Sequence, residues 1–186
     1  MRIKVVCITG VAVLIVSLVA VVCKDELFML RLNLRFRHNA HIVHLDNRGI
    51  TLYPRGLSSE TVEAVNELNR MGLSQDVQRV YFLDGTLDFD VAQALTRLPN
   101  LMRVTAHSSV VDKRIVDKLH DIAKLEELDI SSSEISCEAL SVLISKRKFR
   151  WIGLADAQIP NSCRQELMKE VNSLSASGVD TIKWVK

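Results

Sequence analysis

Apolar positions in this chain recur every 24 residues. From Leu125 to Lys148 they fall at Leu125, Leu128 and Ile130, then Ile135, then Leu140 and Leu143. The first three read L-x-x-L-x-L, the spacing of a short strand with one buried face. The last two lie three apart, as on one side of a helix. One strand, one tight turn and one helix therefore fit into 24 residues. The same series stands one period earlier at Leu101, Val104 and Ala106, then Val111, then Ile115, Leu119 and Ile122. Before it come Val77, Val80 and Phe82, then Leu87, then Ala94, Leu95 and Leu98. After Lys148 come Phe149, Ile152 and Leu154, then Ile159, then Leu167 and Val171. A partial unit carries Val179, Ile182 and Trp184, and an irregular one opens at Ala40, Val43 and Leu45, then Ile50. A unit this short cannot bury its own apolar face, so it implies neighbours of the same kind.

Helix-start residues follow the same period. Asp88, Asp112 and Ser136 each come one residue after an apolar anchor, where a side-chain oxygen meets free N–H groups of a first turn. Pro160-Asn161 takes that place in the following unit. This capping favours strand-turn-helix over strand-turn-strand. The irregular unit, residues 40–76, holds a loop from Thr51 to Gly56 and then a cap at Ser58 or Ser59. Val62, Val65, Leu68 and Met71 give it a helical face, with Gly72 suited to the position just past the helix end.

The pattern resembles the leucine-rich repeat family, in its ribonuclease-inhibitor-like class of paired strands and helices. The resemblance covers Ala40 to Val185, is strongest in the unit from Leu125, and extends to the Leu98-Pro99-Asn100-Leu101 corner. It implies an α/β solenoid with parallel strands on one face and helices on the other. It departs from the family where an Asn often follows the third anchor: Gly85, Ser109, Ser133 and Ala157 stand there. The expected division is an irregular repeat at 40–76, regular repeats at 77–100, 101–124, 125–148 and 149–178, and a terminal strand at 179–185.

Residues 1–4 are short and basic, and residues 5–23 form an apolar run broken only by Thr9, Gly10 and Ser17. A run of that length crosses a hydrocarbon core of roughly 30 Å as a helix. It is read as a transmembrane anchor, with a cleaved signal peptide and a lipid-modified Cys23 as competing readings. The expected localisation is a single-pass membrane protein with its repeat domain on the non-cytoplasmic side. Residues 24–39 are a juxtamembrane linker or cap. Leu30, Leu32, Leu34 and Phe36 alternate with Arg31, Asn33, Arg35 and Arg37 there, while Leu27, Leu30 and Leu34 also fit a helix.

Net charge is +2 but unevenly placed. Before Ala40 there are six Lys/Arg against two Asp/Glu; from Ala40 onward there are 18 against 20. The repeat region is thus slightly acidic, which argues against nucleic acid as a partner. No phosphate-binding glycine loop, nucleophile elbow or paired-Cys motif occurs, so neither catalysis nor a cofactor is expected.

The outward strand positions are what such a fold offers to a partner. They read His44 and Asp46; Arg79 and Tyr81; Arg103, Thr105 and His107; Glu127, Asp129 and Ser131; Trp151 and Gly153. Tyr, Trp and Arg on a rigid face are the types that anchor interfaces. The candidate protein-binding residues are Arg79, Tyr81, Arg103, His107, Glu127, Asp129 and Trp151, against the reading of an ordinary solvated sheet face.

Three further groups bear on chemistry. His38, His41 and His44 lie three apart, but Val43 and Leu45 read as strand anchors, so no metal site is expected. Cys7 and Cys23 sit in the apolar run, while Cys137 and Cys163 open adjacent helices, whose separation argues against the Cα spacing of about 5.5 Å that a disulfide needs. Lys146-Arg147-Lys148 with Arg150 falls at a helix end, where cations favour the dipole. The expected function is binding of another protein through the strand face. The alternative is a structural or assembly subunit of a membrane complex, suggested by Trp184 at an inward anchor of the last strand.

Overall fold

Strand-forming alternation and helix caps take effect in the same order along the chain. The computed structural model describes residues 42–46, 49–83, 85–146, 149–165, 169 and 182–183. Strands β1 (Ile42–Asp46) and β2 (Gly49–Tyr53) are followed by helix α1 (Ser58–Arg70). Then come β3 (Val77–Phe82), α2 (Phe89–Leu95), β4 (Arg103–Ala106), β5 (Val110–Val111) and α3 (Lys113–Asp121). The chain continues with β6 (Glu127–Asp129), β7 (Glu134–Ile135), α4 (Cys137–Ser145), β8 (Trp151–Gly153) and β9 (Ile182–Lys183). Among the described residues, seven strands form one sheet in the order β1-β2-β3-β4-β6-β8-β9, and β5 pairs with β7 in a second, two-stranded sheet. From β2 onward every pairing in the large sheet is parallel. The helices pack on one another in chain order.

The 24-residue period sets the register. Arg79 pairs with Arg103, Arg103 with Glu127, and Glu127 with Trp151. Every apolar anchor from Val77 to Ile159 is buried, and Phe149 is among the largest side chains fully enclosed. The caps form as their spacing predicts. Asp88, Asp112 and Ser136 side chains accept from the backbone N–H of Val91, Ile115 and Ala139 at 2.9, 3.0 and 3.1 Å. Helix α1 ends as predicted on Gly72, at φ +73°, with Leu73 N donating to Leu68 O and Gly72 N to Asn69 O. It starts without a Ser cap. Leu57 precedes it, and Glu60 reaches back to accept from Leu57 N at 3.2 Å.

Ser109 and Ser133, three residues past the third anchors of their units, have a structural role. Ser109 Oγ accepts from Leu87 N at 3.1 Å, and Ser133 Oγ accepts from Ser109 N at 3.1 Å. Both are buried, and they tie each turn to the one before it. At the opposite corner Asn100 donates to Gln75 O and accepts from Lys124 Nζ, each at 2.7 Å.

Several expectations are corrected. The fold is α/β with a largely parallel sheet, not the expected leucine-rich-repeat solenoid behind a transmembrane helix. Within residues 40–76 the described chain runs as two antiparallel strands and a helix. β1 and β2 pair antiparallel from Ile42↔Tyr53 to Asp46↔Gly49, so the expected loop from Thr51 is strand as far as Tyr53. Among the described residues, regular pairing at 24 residues joins β3, β4, β6 and β8, and β5 with β7, and continues in the parallel bridge from Glu134 to Gln158. No helix among the described residues is long and apolar enough to cross a membrane. The longest, α1, has 13 residues, whereas a span needs about 20. The expected single-pass membrane localisation is corrected to that extent: the described residues supply no membrane span. The run at 5–23, the segment 24–39 and Trp184 lie outside the described residues.

Candidate functional site

The strand face is built by alternation. On β3, Val80 and Phe82 enter the core while Arg79 and Tyr81 stay half-buried on the other side. β4 does the same with Arg103 against Val104, β6 with Glu127 and Asp129 against Leu128, and β8 with Trp151 against Ile152. Parallel register then lines these residues into two rows. One runs Thr51, Arg79, Arg103, Glu127, Trp151. The other runs Tyr81, Thr105, Asp129, Gly153.

Arg103 is the hub of the first row. Its guanidinium carbon lies 5.5 Å from the centre of the Tyr81 ring and 5.4 Å from that of Trp151, within cation–π range of both. Glu127 faces it across the next strand at 3.3 Å, with both side chains about one-third exposed (34%). Tyr53 adds a further ring beside the two rows, stacked on Tyr81 with ring centres 5.6 Å apart and planes 18° from parallel. An aromatic, cationic and acidic strip therefore crosses five strands, with β6 contributing its carboxylate between Arg103 and Trp151.

The second row is more polar. Asp129 Oδ1 accepts from Ser131 N at 3.2 Å and from Ser131 Oγ at 2.6 Å. A side chain at Gly153 would meet that oxygen at 2.5 Å and the Trp151 ring at 2.7 Å, so glycine is what lets both sit there. His107 is exposed, and its Nδ1 donates to Ser131 O at 3.3 Å. Thr105 is 7% exposed, and its Oγ1 has no hydrogen-bond partner among the described residues; the same holds for Arg103 Nε. Two unmet polar atoms thus lie on one strand beside the aromatic pair.

Of the residues expected to bind a partner, the structure brings Tyr81, Arg103, Glu127 and Trp151 into direct contact in one strip. Arg79 and Asp129 flank it, and His107 sits beyond the end of β4. Tyr53 is absent from the sequence expectation, because the stretch Ile50-Thr51-Leu52-Tyr53 reads there as turn and loop. Its alternation of apolar and outward residues was the available signal.

Away from this face, Lys146 caps the end of α4 and reaches Asp117 on α3 at 3.0 Å, while Arg147 and Lys148 lie outside the described residues. His38 and His41 also lie outside them, and no group of three or more potential metal ligands occurs among the described residues. Cys137 and Cys163 do form a disulfide, with Cα atoms 5.5 Å apart, against the expectation from helix spacing. Both stand near helix starts, where chain leaving the turns converges, rather than along the helix bodies. No family model and no curated protein matches this chain, so the resemblance to leucine-rich repeats gains no support from known proteins.

Proposed function

We propose that the chain is a non-catalytic binding module that holds another protein against its strand face. What carries this reading is Arg103 held between Tyr81 and Trp151. Tyr, Trp and Arg dominate the few residues that supply most interface energy, and a rigid sheet presents them at little conformational cost. Glu127 and Asp129 give the strip an acidic side beside the basic one, which suits a partner with charges of both signs.

The test is crosslinked affinity capture with the full-length protein. Tyr81→Ala and Trp151→Ala are expected to lose a specific partner by roughly ten-fold or more, the effect of removing an interface anchor. Glu63→Ala on the exposed side of α1 is expected to keep it. Circular dichroism checks that all three fold. Capture unchanged in both aromatic variants would sink the reading.

A further inference from the structure

The Cys137–Cys163 disulfide closes a loop that carries α4 and β8, and with them Trp151 and Gly153. Its Cα separation of 5.5 Å lies in the ordinary range for such bonds. The two ends differ. Cys163 is 8% exposed, and its Sγ lies 3.3 Å from Pro160 O. Cys137 is only partly buried, the first residue of the nine-residue α4, with its Sγ 3.5 Å from Ser162 Oγ. A sulfur at the start of a helix is favoured as thiolate by the backbone dipoles. The accessible sulfur is also where an attacking thiolate arrives. Among the described residues, Gln158 N donates to Ser133 O and Ile135 N to Gln158 O, and the helical residues 161–165 meet α4 through the disulfide and the Ser162 contact.

We infer that Cys137–Cys163 is a thiol–disulfide exchange site for a dithiol reductant, and that its state sets how firmly the Trp151 end of the strand face is held. One thiolate of the dithiol attacks Cys137 Sγ. The bond between the two protein sulfurs breaks, and Cys163 leaves as a thiolate that takes up a proton and can donate to Pro160 O. The second thiol of the dithiol loses its proton and attacks the reductant sulfur bound to Cys137. Cys137 then leaves as a thiolate at the start of α4 and takes up a proton. The net change is one protein disulfide reduced to two thiols and one dithiol oxidised to a disulfide. Opening the loop removes a constraint on the unfolded excursions of residues 149–165. The consequence for binding rests on the strand-face reading; the change in local stability does not.

Full-length protein, oxidised and then treated with dithiothreitol, provides the test, by peptide mapping without reductant and by amide hydrogen exchange. Mapping is expected to recover the 137–163 bridge. On reduction, amides in 149–165 are expected to exchange about ten- to a hundred-fold faster while those in 77–106 hold their protection. Cys163→Ser is expected to match the reduced wild type without any dithiothreitol. Absence of the bridge, or exchange over 149–165 that reduction leaves unchanged, overturns the proposal. So does acceleration in 77–106 equal to that in 149–165, because the bridge would then hold the whole domain rather than one end. Failure of the strand-face reading is a separate result: oxidised Tyr81→Ala and Trp151→Ala would capture the partner like wild type while the exchange pattern stands.

Discussion

Single residues in the turns carry opposing demands. Ser108, Ser132 and Asp156 all stand at positive φ (55°, 56° and 54°), one in each successive turn and 24 residues apart. That conformation costs an L residue about 1–2 kcal/mol. The residue that follows Ser132 has a different task, since Ser133 is fully buried, donates to Ala106 O at 3.3 Å and accepts from Ser109 N. Adjacent serines should therefore respond with opposite sign. Ser132→Gly removes the strain but adds freedom to the unfolded chain, a cost of about 0.4–1 kcal/mol, so a net gain of about 0.5–1 kcal/mol is expected. Ser133→Ala leaves a buried N–H without its acceptor and is expected to lose about 1–3 kcal/mol. Urea midpoints of the two variants check the pair. A loss in both would show that the turn needs Ser132 for more than its backbone.

Between elements, α3 and α4 are joined by one carboxylate. Asp117 accepts from Lys113 on its own helix at 2.5 Å and from Lys146 of α4 at 3.0 Å. These two hydrogen bonds, Lys113 first, hold its acidity at about 2, below the ordinary 3.8. The same contact raises Lys113 above its usual 10.5. Asp112 is lowered as well. Burial pushes it up, but the Ile115 N–H and Arg114 outweigh that. For Asp117 the unfolded chain binds a proton near pH 3.8, whereas the folded protein does so only near 2. Its stabilisation is therefore whole above 3.8 and drains away as pH falls towards 2. The side chain is one-third exposed, so the effect is screened and small. Asp117→Asn is expected to flatten the fall in urea midpoint between pH 4 and 2 and to have less effect in high salt. An acid limb identical to wild type would show that the contact contributes nothing to holding the helices together.

For the molecule as a whole, the core and the strip proposed to bind a partner lie on opposite faces of the same strands, and that division explains what was legible in the sequence. Core anchors from Val77 to Ile159 were readable because burial acts on one side chain at a time, and the period put Val80, Val104, Leu128 and Ile152 into one buried row. The outward row was readable for the same reason, one residue removed. Tyr53 was not, because Ile50 was read as a turn anchor rather than as part of a strand paired with Leu45. The disulfide was not, because helix-to-helix distance says nothing about where two helix starts converge. The solenoid was inferred from recurring anchors, caps and a resemblance, and such anchors do not distinguish a repeat from an antiparallel strand pair followed by a helix, as at 42–70. Two substitutions separate the faces. Leu128→Ala empties a fully buried site in the middle of the sheet and is expected to cost about 2–5 kcal/mol. Tyr81→Ala, on the half-buried side, removes a ring that touches Tyr53 and Arg103 and is expected to cost about 0.5–1.5 kcal/mol. Partner capture should follow the reverse order at temperatures where both variants are folded. If Leu128→Ala lost capture as fully as Tyr81→Ala while still folded, the strip would depend on the packing beneath it, and the two faces could not be treated as independent.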